Sequence, residues 1–385
     1  MIPGQAILLP RQCVRKESMK KVLLMMLQNS KLDLSPARYQ LLQALKDRGF
    51  ETYVFLPGHL KKRSNYEFID HIINVSGMPV KNIRRKLIDI KPQAVLASTI
   101  EDMEIVYLLP WIMKKTAFYY YNLEIYTSYI DKDIKKEDFG YYLRFKLGYP
   151  VKKMKEMLYT DKSKMFTIQD SIRCKISAKY HIQHKNTVFI PNSYVFDASK
   201  VVDMTKEGII YSGGMRKSYF GEKFNLIKAV KTVPLTFSGE MDQWCRQRMG
   251  ALKKTNPNIT IVERYLEPDE FTEFLRNFAV GFVWYNALKE DEGHYHIGLS
   301  SGKMFKHFSI GQPVIAVKCS GITQVIRKYR IGEVIDDISE LETAYYKIMR
   351  NYAYYQQNIL KVYKEIFDFK KTIVPLLDHI DKHVI

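Results

Sequence analysis

A chain of 385 residues, 46% of them hydrophobic, can bury more than one core, so two domains are expected. Its four cysteines, Cys13, Cys174, Cys245 and Cys319, are too few and too scattered for a disulfide scaffold or a zinc knuckle, and a reducing compartment fits them best. The net charge of +19 is uneven: residues 1–190 carry 33 Lys and Arg against 18 Asp and Glu, residues 191–385 carry 27 against 23, so the first half holds the field that attracts phosphorylated ligands, nucleic acid or an anionic membrane.

The opening segment MIPGQAILLPRQCVRKESMKK has an apolar stretch, Ala6 to Pro10, that is too short and wrongly flanked for a signal peptide, and residues 1–20 read as an extension. No later run reaches the about 18 apolar residues of a membrane span. Val22 to Leu27 (VLLMML) reads as a buried strand. The loop after it leads into a helix with Pro36 in its first turn and Ala37, Leu41, Leu42 and Leu45 on one face. Gly49 ends that helix, and ETYVFLP is the next strand. Alternation continues through a helix at Val80 to Asp89, a strand at Ala94 to Ala97, a helix near Glu101 to Met113, and strands at Ala117 to Tyr121, Lys162 to Ile168 and Thr187 to Ile190. Continuous apolar strands separated by amphipathic helices predict a doubly wound parallel sheet.

The rhythm breaks at PNSYVFDASKVVDMTKEG and then restarts. Strands are predicted at Gly208 to Ser212, Leu235 to Ser238, Ile259 to Val262, Val280 to Trp284 and Val314 to Val317. Helices are predicted at Lys223 to Lys231, Trp244 to Lys253, Pro268 to Asn277 and Lys303 to Phe308. In the Tyr-rich tail, Tyr345, Ile348, Tyr352, Tyr355 and Ile359 fall at helical spacing and read as a packing stripe. The sequence has neither GxxxxGK[ST] nor, after its first strand, GxGxxG, which argues against the common ATP, GTP and nicotinamide versions of this architecture. Without zinc spacing or an interleaved aromatic and glycine motif, the basic clusters give nucleic-acid binding only weak support, and no nucleic-acid partner is expected.

The strongest local signal is SSGKMFKHFSIGQPVIA, Ser300 to Ala316. A polar loop enters a short helix near Gly302, and a strand follows Pro313. The helix start offers free N–H groups beside Lys303, an arrangement suited to a phosphate.

This segment resembles the second lobe of two-lobed retaining glycosyltransferases of the GT-B type, the group 1 or family 4-like kind, which use nucleotide sugars. KMFKHFSIGQPVIA matches their typical stretch, and MFTIQDSI, FIPNS, YSGGM, GFVWYN and GITQVI follow the family's order along nearly the whole chain. The resemblance implies an α/β protein with two Rossmann-like doubly wound domains facing each other across a cleft. Residues 21–195 would form the acceptor domain, 196–360 the donor domain, and 361–385 a helical tail returning to the first. It implies that Gly213 and Gly214 let backbone approach a diphosphate, that Arg216 or Lys217 contacts it, that Tyr285 and Asn286 border the nucleotide or sugar, and that Ser300, Ser301 and Lys303 lie by the ribose and diphosphate. Where relatives carry two Glu residues eight positions apart, this chain has Gly298 and Lys306. Lysine accepts no hydroxyl hydrogen bond, so a rearranged carboxylate from Glu290, Asp291 or Glu292, or weakened donor binding, is expected.

In the first lobe, YYYNLEIY places Glu124 at a strand end, where it would orient an acceptor hydroxyl or stabilise a positively charged sugar. Asp170 is a second cleft candidate, or the cap of the helix that follows it. Arg38 would suit an anionic acceptor. The expected activity is sugar transfer from a UDP- or GDP-linked donor, without a dedicated metal or other cofactor, in bacterial surface polysaccharide or glycolipid synthesis. Catalysis would rest on Glu124 and Lys303, and the alternatives are a catalytically silent partner subunit and a nucleotide-sugar epimerase. The clusters Lys61 to Arg63, Arg84 to Lys86, Lys135 with Lys136, and Lys152 to Lys155 suggest an anionic or lipid-diphosphate acceptor and peripheral contact with the cytoplasmic face of a membrane.

Overall fold

The computed structural model describes residues 20–27, 36–58, 67–124, 139–264, 266, 268–285 and 295–384. The readings made at residues 1–19, Lys61 to Arg63, Lys135, Lys136, Asn286 and Glu290 to Glu292 lie outside them.

The first sheet contains β1 (Lys21–Met25), β2 (Glu51–Leu56), β3 (His71–Asn74), β4 (Ala94–Ala97), β5 (Ala117–Tyr121), β6 (Met165–Ile168) and β7 (Thr187–Phe189), in the order β3-β2-β1-β4-β5-β6-β7. Its pairings are parallel, so each connection must cross a face and both faces are covered. The two-residue period of the strands sorts the side chains. Leu23, Met25, Phe118, Tyr120 and Phe166 enter one core with Ile83, Leu87, Met103 and Tyr159 from the covering helices. Val22, Leu24, Ala117, Tyr119 and Tyr121 enter the other with Leu41, Leu42 and Leu45 of helix Pro36–Asp47.

The second sheet contains β8 (Ile209–Ser212), β9 (Leu235–Ser238), β10 (Ile259–Val262), β11 (Val280–Val283), β12 (Val314–Val317) and β13 (Gly332–Ile335), in the order β10-β9-β8-β11-β12-β13. It too is parallel. In each sheet the order reverses beside the first strand of the lobe, and a crevice opens there at the carboxyl ends.

Several elements differ from the sequence reading. Lys162 ends the long helix Phe139–Lys162 rather than starting a strand. The stretch expected as a helix at Lys223 to Lys231 is a short helix, Lys217–Phe220, followed by a 3-10 segment, Gly221–Ala229, and glycine at the junction weakens α-helical continuation. β3 and β13 were not anticipated; both are half-exposed edge strands.

The lobes meet where the first sheet ends. The Asn192 backbone N–H donates to the Leu299 carbonyl at 2.9 Å, and its Nδ2 to the Ser300 carbonyl at 3.2 Å. The Leu299 N–H donates to Asp170 Oδ2 at 3.1 Å. After helix Tyr352–Val362 the chain crosses back, and Phe369, Ile373, Leu376, Leu377 and Ile380 enter the first-lobe core beside β1 and β5. Arg48 ties that tail down through Asp378 at 3.0 Å and Asp381 at 2.6 Å. The stripe Tyr345, Ile348, Tyr352, Tyr355 and Ile359 is buried packing, as its spacing predicted. Leu376 is fully buried, so Leu376→Ala should lower stability by roughly 2–5 kcal/mol, read as a shifted urea midpoint. A change under about 0.5 kcal/mol would mark the tail as an appendage.

Candidate functional site

Helix Gly302–Ser309 lies at the crevice between β8 and β11. Ser301 caps it: its Oγ accepts from the Met304 N–H at 3.3 Å and lies 3.0 Å from the Tyr285 hydroxyl. As in any α-helix, the first N–H groups have no partner further up the helix. The helix rests very close to the sheet. A Cβ on Gly281 of β11 would come within 2.5 Å of the His307 ring, and one on Gly213 within 2.5 Å of Lys303 Cε. Gly213 also has φ +128°, a backbone shape that other residues rarely adopt.

A buried polar chain fixes this helix in register. Gln312 Nε2 donates to the carbonyls of Phe278 at 2.6 Å and Leu275 at 3.2 Å. Its Oε1 is therefore left to accept from His307 Nδ1 at 2.6 Å, which assigns the imidazole proton to Nδ1. His307 Nε2 then accepts from Ser212 Oγ at 3.4 Å. Burial pulls the imidazole down to about 4, so the ring is a neutral strut at physiological pH. Sequence reasoning missed both His307 and Gln312.

Lys303 stands one turn earlier. Its Nζ donates to the Tyr211 hydroxyl at 2.7 Å and lies 4.4 Å from the Tyr211 ring centre and 5.2 Å from that of Tyr285. The Tyr211 hydroxyl in turn donates to the Gly214 carbonyl at 3.1 Å. Burial draws the Lys303 ammonium down to about 7. Gly213, Gly214, Tyr285, Ser301 and Lys303 thus converge on one place. Ser300, in the turn Gly298–Ser300, lies at the seam with Asn192. Arg216 and Lys217 are exposed, and the Lys217 N–H donates to Asp242 Oδ2 at 2.7 Å.

Lys306 has different neighbours. Its Nζ donates to Thr272 Oγ1 at 2.5 Å and sits 4.8 Å from the Tyr194 ring centre. Burial first, and then the nearby Lys200, draw it down to about 8.

The first-lobe candidates are built on buried supports. Glu124 Oε2 lies 3.6 Å from Nη2 of the fully buried Arg173. Arg173 Nε donates to Gln169 Oε1 at 2.9 Å, and Gln169 Nε2 to the Asn122 carbonyl at 2.7 Å. Asn122 Oδ1 accepts from the Glu124 N–H at 3.0 Å. Asp170 caps helix Ser171–Lys179 through the Arg173 N–H at 2.8 Å, and its second oxygen takes the Leu299 N–H described above. Arg38 is buried, and its Nε finds no hydrogen-bond partner among the described residues. Among those residues no group of three or more His, Cys, Asp or Glu could hold a metal ion.

Holding an ammonium in a site that lowers its pKa costs stability. From an ordinary 10.5 to about 7, the folded state is penalised below the unfolded pKa, fully so once pH falls under the folded value. Lys303→Met should therefore raise the thermal midpoint at pH 6 by several degrees and raise it progressively less towards pH 10. Differential scanning calorimetry across pH reads this out, and a midpoint that falls at every pH would refute it.

Residues 209–369 match the family described as glucosyltransferase 3-like, C-terminal domain. A search of curated protein sequences finds no match. Solved structures align along almost the whole chain. Anabaena HepE in complex with UDP has a TM-score of 0.65 at 11% identity, over 94% of this chain and 100% of that one. Sucrose-phosphate synthase from Thermosynechococcus elongatus has 0.61 at 11%, over 94% and 98%. A putative UDP-N-acetylglucosamine 2-epimerase from Listeria monocytogenes has 0.61 at 12%, over 95% and 98%. At such identities the likeness establishes architecture, and the two parallel sheets, each flanked by helices, make this chain a two-lobed protein of the GT-B fold.

Proposed function

We propose that the chain is a retaining glycosyltransferase that moves a sugar from a UDP- or GDP-linked donor to an acceptor hydroxyl, in the synthesis of a bacterial surface polysaccharide or glycolipid. The observation that carries this reading is Lys303, held at a helix start against Gly213 and between Tyr211 and Tyr285. When the bond between the anomeric carbon and the diphosphate oxygen breaks, negative charge grows on the diphosphate. Helix N–H groups and a fixed ammonium stabilise that charge without reorganising. Gly213 and Gly214 let backbone approach the phosphates. The exposed Arg216 and Lys217 add positive field, and Tyr285, Asn286, Ser300 and Ser301 border the nucleotide. The UDP in the similar Anabaena structure supports a donor of this class.

Across the cleft, Glu124 receives the acceptor hydroxyl, with Arg173 fixing its direction. Asp170 and Arg38 line the acceptor side, and Arg38 favours an anionic acceptor such as a lipid diphosphate. Lys306 contributes charge near the nucleotide but cannot grip ribose hydroxyls as a carboxylate would. That substitution, with glycine at 298, favours a second reading, a silent partner subunit that keeps the fold and binds no donor.

Titration calorimetry with UDP and GDP separates the two. The wild type should bind one of them, and Lys303→Ala should weaken binding at least tenfold. Because a diphosphate selects the ammonium form, affinity should fall roughly tenfold per unit above about pH 7, with proton uptake on binding there. No binding of either nucleotide at millimolar concentration removes the transferase reading. Binding with turnover but no need of an acceptor would point to an epimerase.

A further inference from the structure

We infer that the first lobe docks on an anionic lipid bilayer through the outer face of helices Leu109–Ile112 and Phe139–Lys162. A helix covering a sheet normally turns polar side chains outward. Here the inner face of Phe139–Lys162 carries Glu156, Tyr159 and Thr160, all buried, whereas Val151, Met154 and Leu158 are exposed. Those three follow helical spacing, so they form one outward stripe. Beside it Leu108, Trp111 and Ile112 are exposed as well, Ile112 to 64%. The stripes adjoin: Lys162 Nζ lies 5.8 Å from the Trp111 ring centre, and Lys155 Nζ lies 5.3 Å from that of Tyr107. The result is one apolar strip across two helices, with a tryptophan in it.

Charge selects the occupant. Residues 80–115 and 148–164, which supply this side of the lobe, hold twelve basic against six acidic side chains. Two of the acids are turned inward: Asp102 accepts from the N–H groups of Ser98 and Thr99, and Glu156 from the Tyr120 hydroxyl. Two more are engaged by lysine, Glu104 by Lys155 at 3.9 Å and Asp161 by Lys162 at 2.8 Å. An apolar centre ringed by lysines whose stems can lie along it satisfies both signals that hold a protein at a membrane, insertion of apolar groups and attraction to anionic headgroups. Trp111 precedes β5 and Lys162 precedes β6, so that end of the strip adjoins the amino ends of those strands, and the strip runs from there along the outer side of the helix that covers the sheet. The inference gives the membrane contact of the reading above a defined place, and its test does not depend on sugar transfer.

The test is sedimentation of the full chain with vesicles of phosphatidylcholine alone and with about 30% phosphatidylglycerol, at about 50 and 500 mM NaCl. Wild type should partition at least tenfold more strongly onto the anionic vesicles, and high salt should weaken this. The double variant Ile112→Glu/Met154→Glu should lose at least tenfold with an unchanged melting midpoint and nucleotide affinity, since both side chains already face water. Lys114→Glu/Lys115→Glu should remove the preference for anionic lipid. Brominated acyl chains should quench wild-type fluorescence and not that of Trp111→Phe. Equal retention of the double variant, equal retention on both lipids, or no retention overturns the inference. A dimer in lipid-free solution that the same substitutions abolish also overturns it and assigns the face to a second copy of the chain.

Discussion

Helix Gly302–Ser309 rests on the second sheet at a separation that a side chain on either of two glycines would forbid. The His307 ring occupies the space a Cβ on Gly281 would take, and Lys303 the space of one on Gly213. That contact ties the helix start to the end of β8. Because His307 is braced from behind by Gln312 and from the front by Ser212, the helix cannot slide without leaving buried polar atoms unpaired, which costs about 1–3 kcal/mol each. The position of Lys303 is thus decided before any ligand arrives, and little entropy is left to lose on binding.

The lobes put buried charge to different uses. In the first, buried carboxylates serve as braces: Asp102 gathers the N–H groups of Leu27, Ser98 and Thr99 at the ends of β1 and β4. Glu156, pushed up to about 7 by burial, binds Tyr120. In the second lobe the perturbed groups at the crevice are cations, Lys303 and Lys306, each drawn down by burial. A folded protein tolerates such a cation only where something else is gained. The surrounding aromatic core, with Tyr211, Phe220, Phe282 and Trp284 all fully buried, supplies the stability that offsets it.

The strands of both sheets were legible because parallel strands covered on both faces read as unbroken apolar runs. VLLM, AFYYY and VIAV need no tertiary context. β3 and β13 escaped because edge strands are half wet, and HIIN and GEVI show no clear pattern. At the crevice, the helix start at Gly302 and its Ser301 cap follow from local chemistry. What gives the remaining residues their geometry is distant in the chain. Arg173 behind Glu124 and Leu299 against Asp170 come from separate elements, and no spacing announces them. His307 reads as one more residue of an amphipathic turn until Gln312 and the carbonyl ends of helix Pro268–Leu275 are seen together. The outward apolar stripe of Phe139–Lys162 was hidden for a related reason. Its lysines are evident in sequence, but which side of the helix faces the sheet is set by Tyr159 and Glu156 meeting β5.

The return of the tail to the first lobe also bears on the order in which the protein can mature. A ribosome delivers about 5–20 residues per second, so the segment Phe369–His383 emerges roughly ten to forty seconds after β7. During that interval one flank of the nascent first sheet, Val22, Leu24 and Tyr119 among others, lacks its final cover while the second lobe is still being made. The first lobe is thus first to be synthesised and last to be sealed. A holding chaperone has its natural window there, and a truncated translation product would expose that flank permanently.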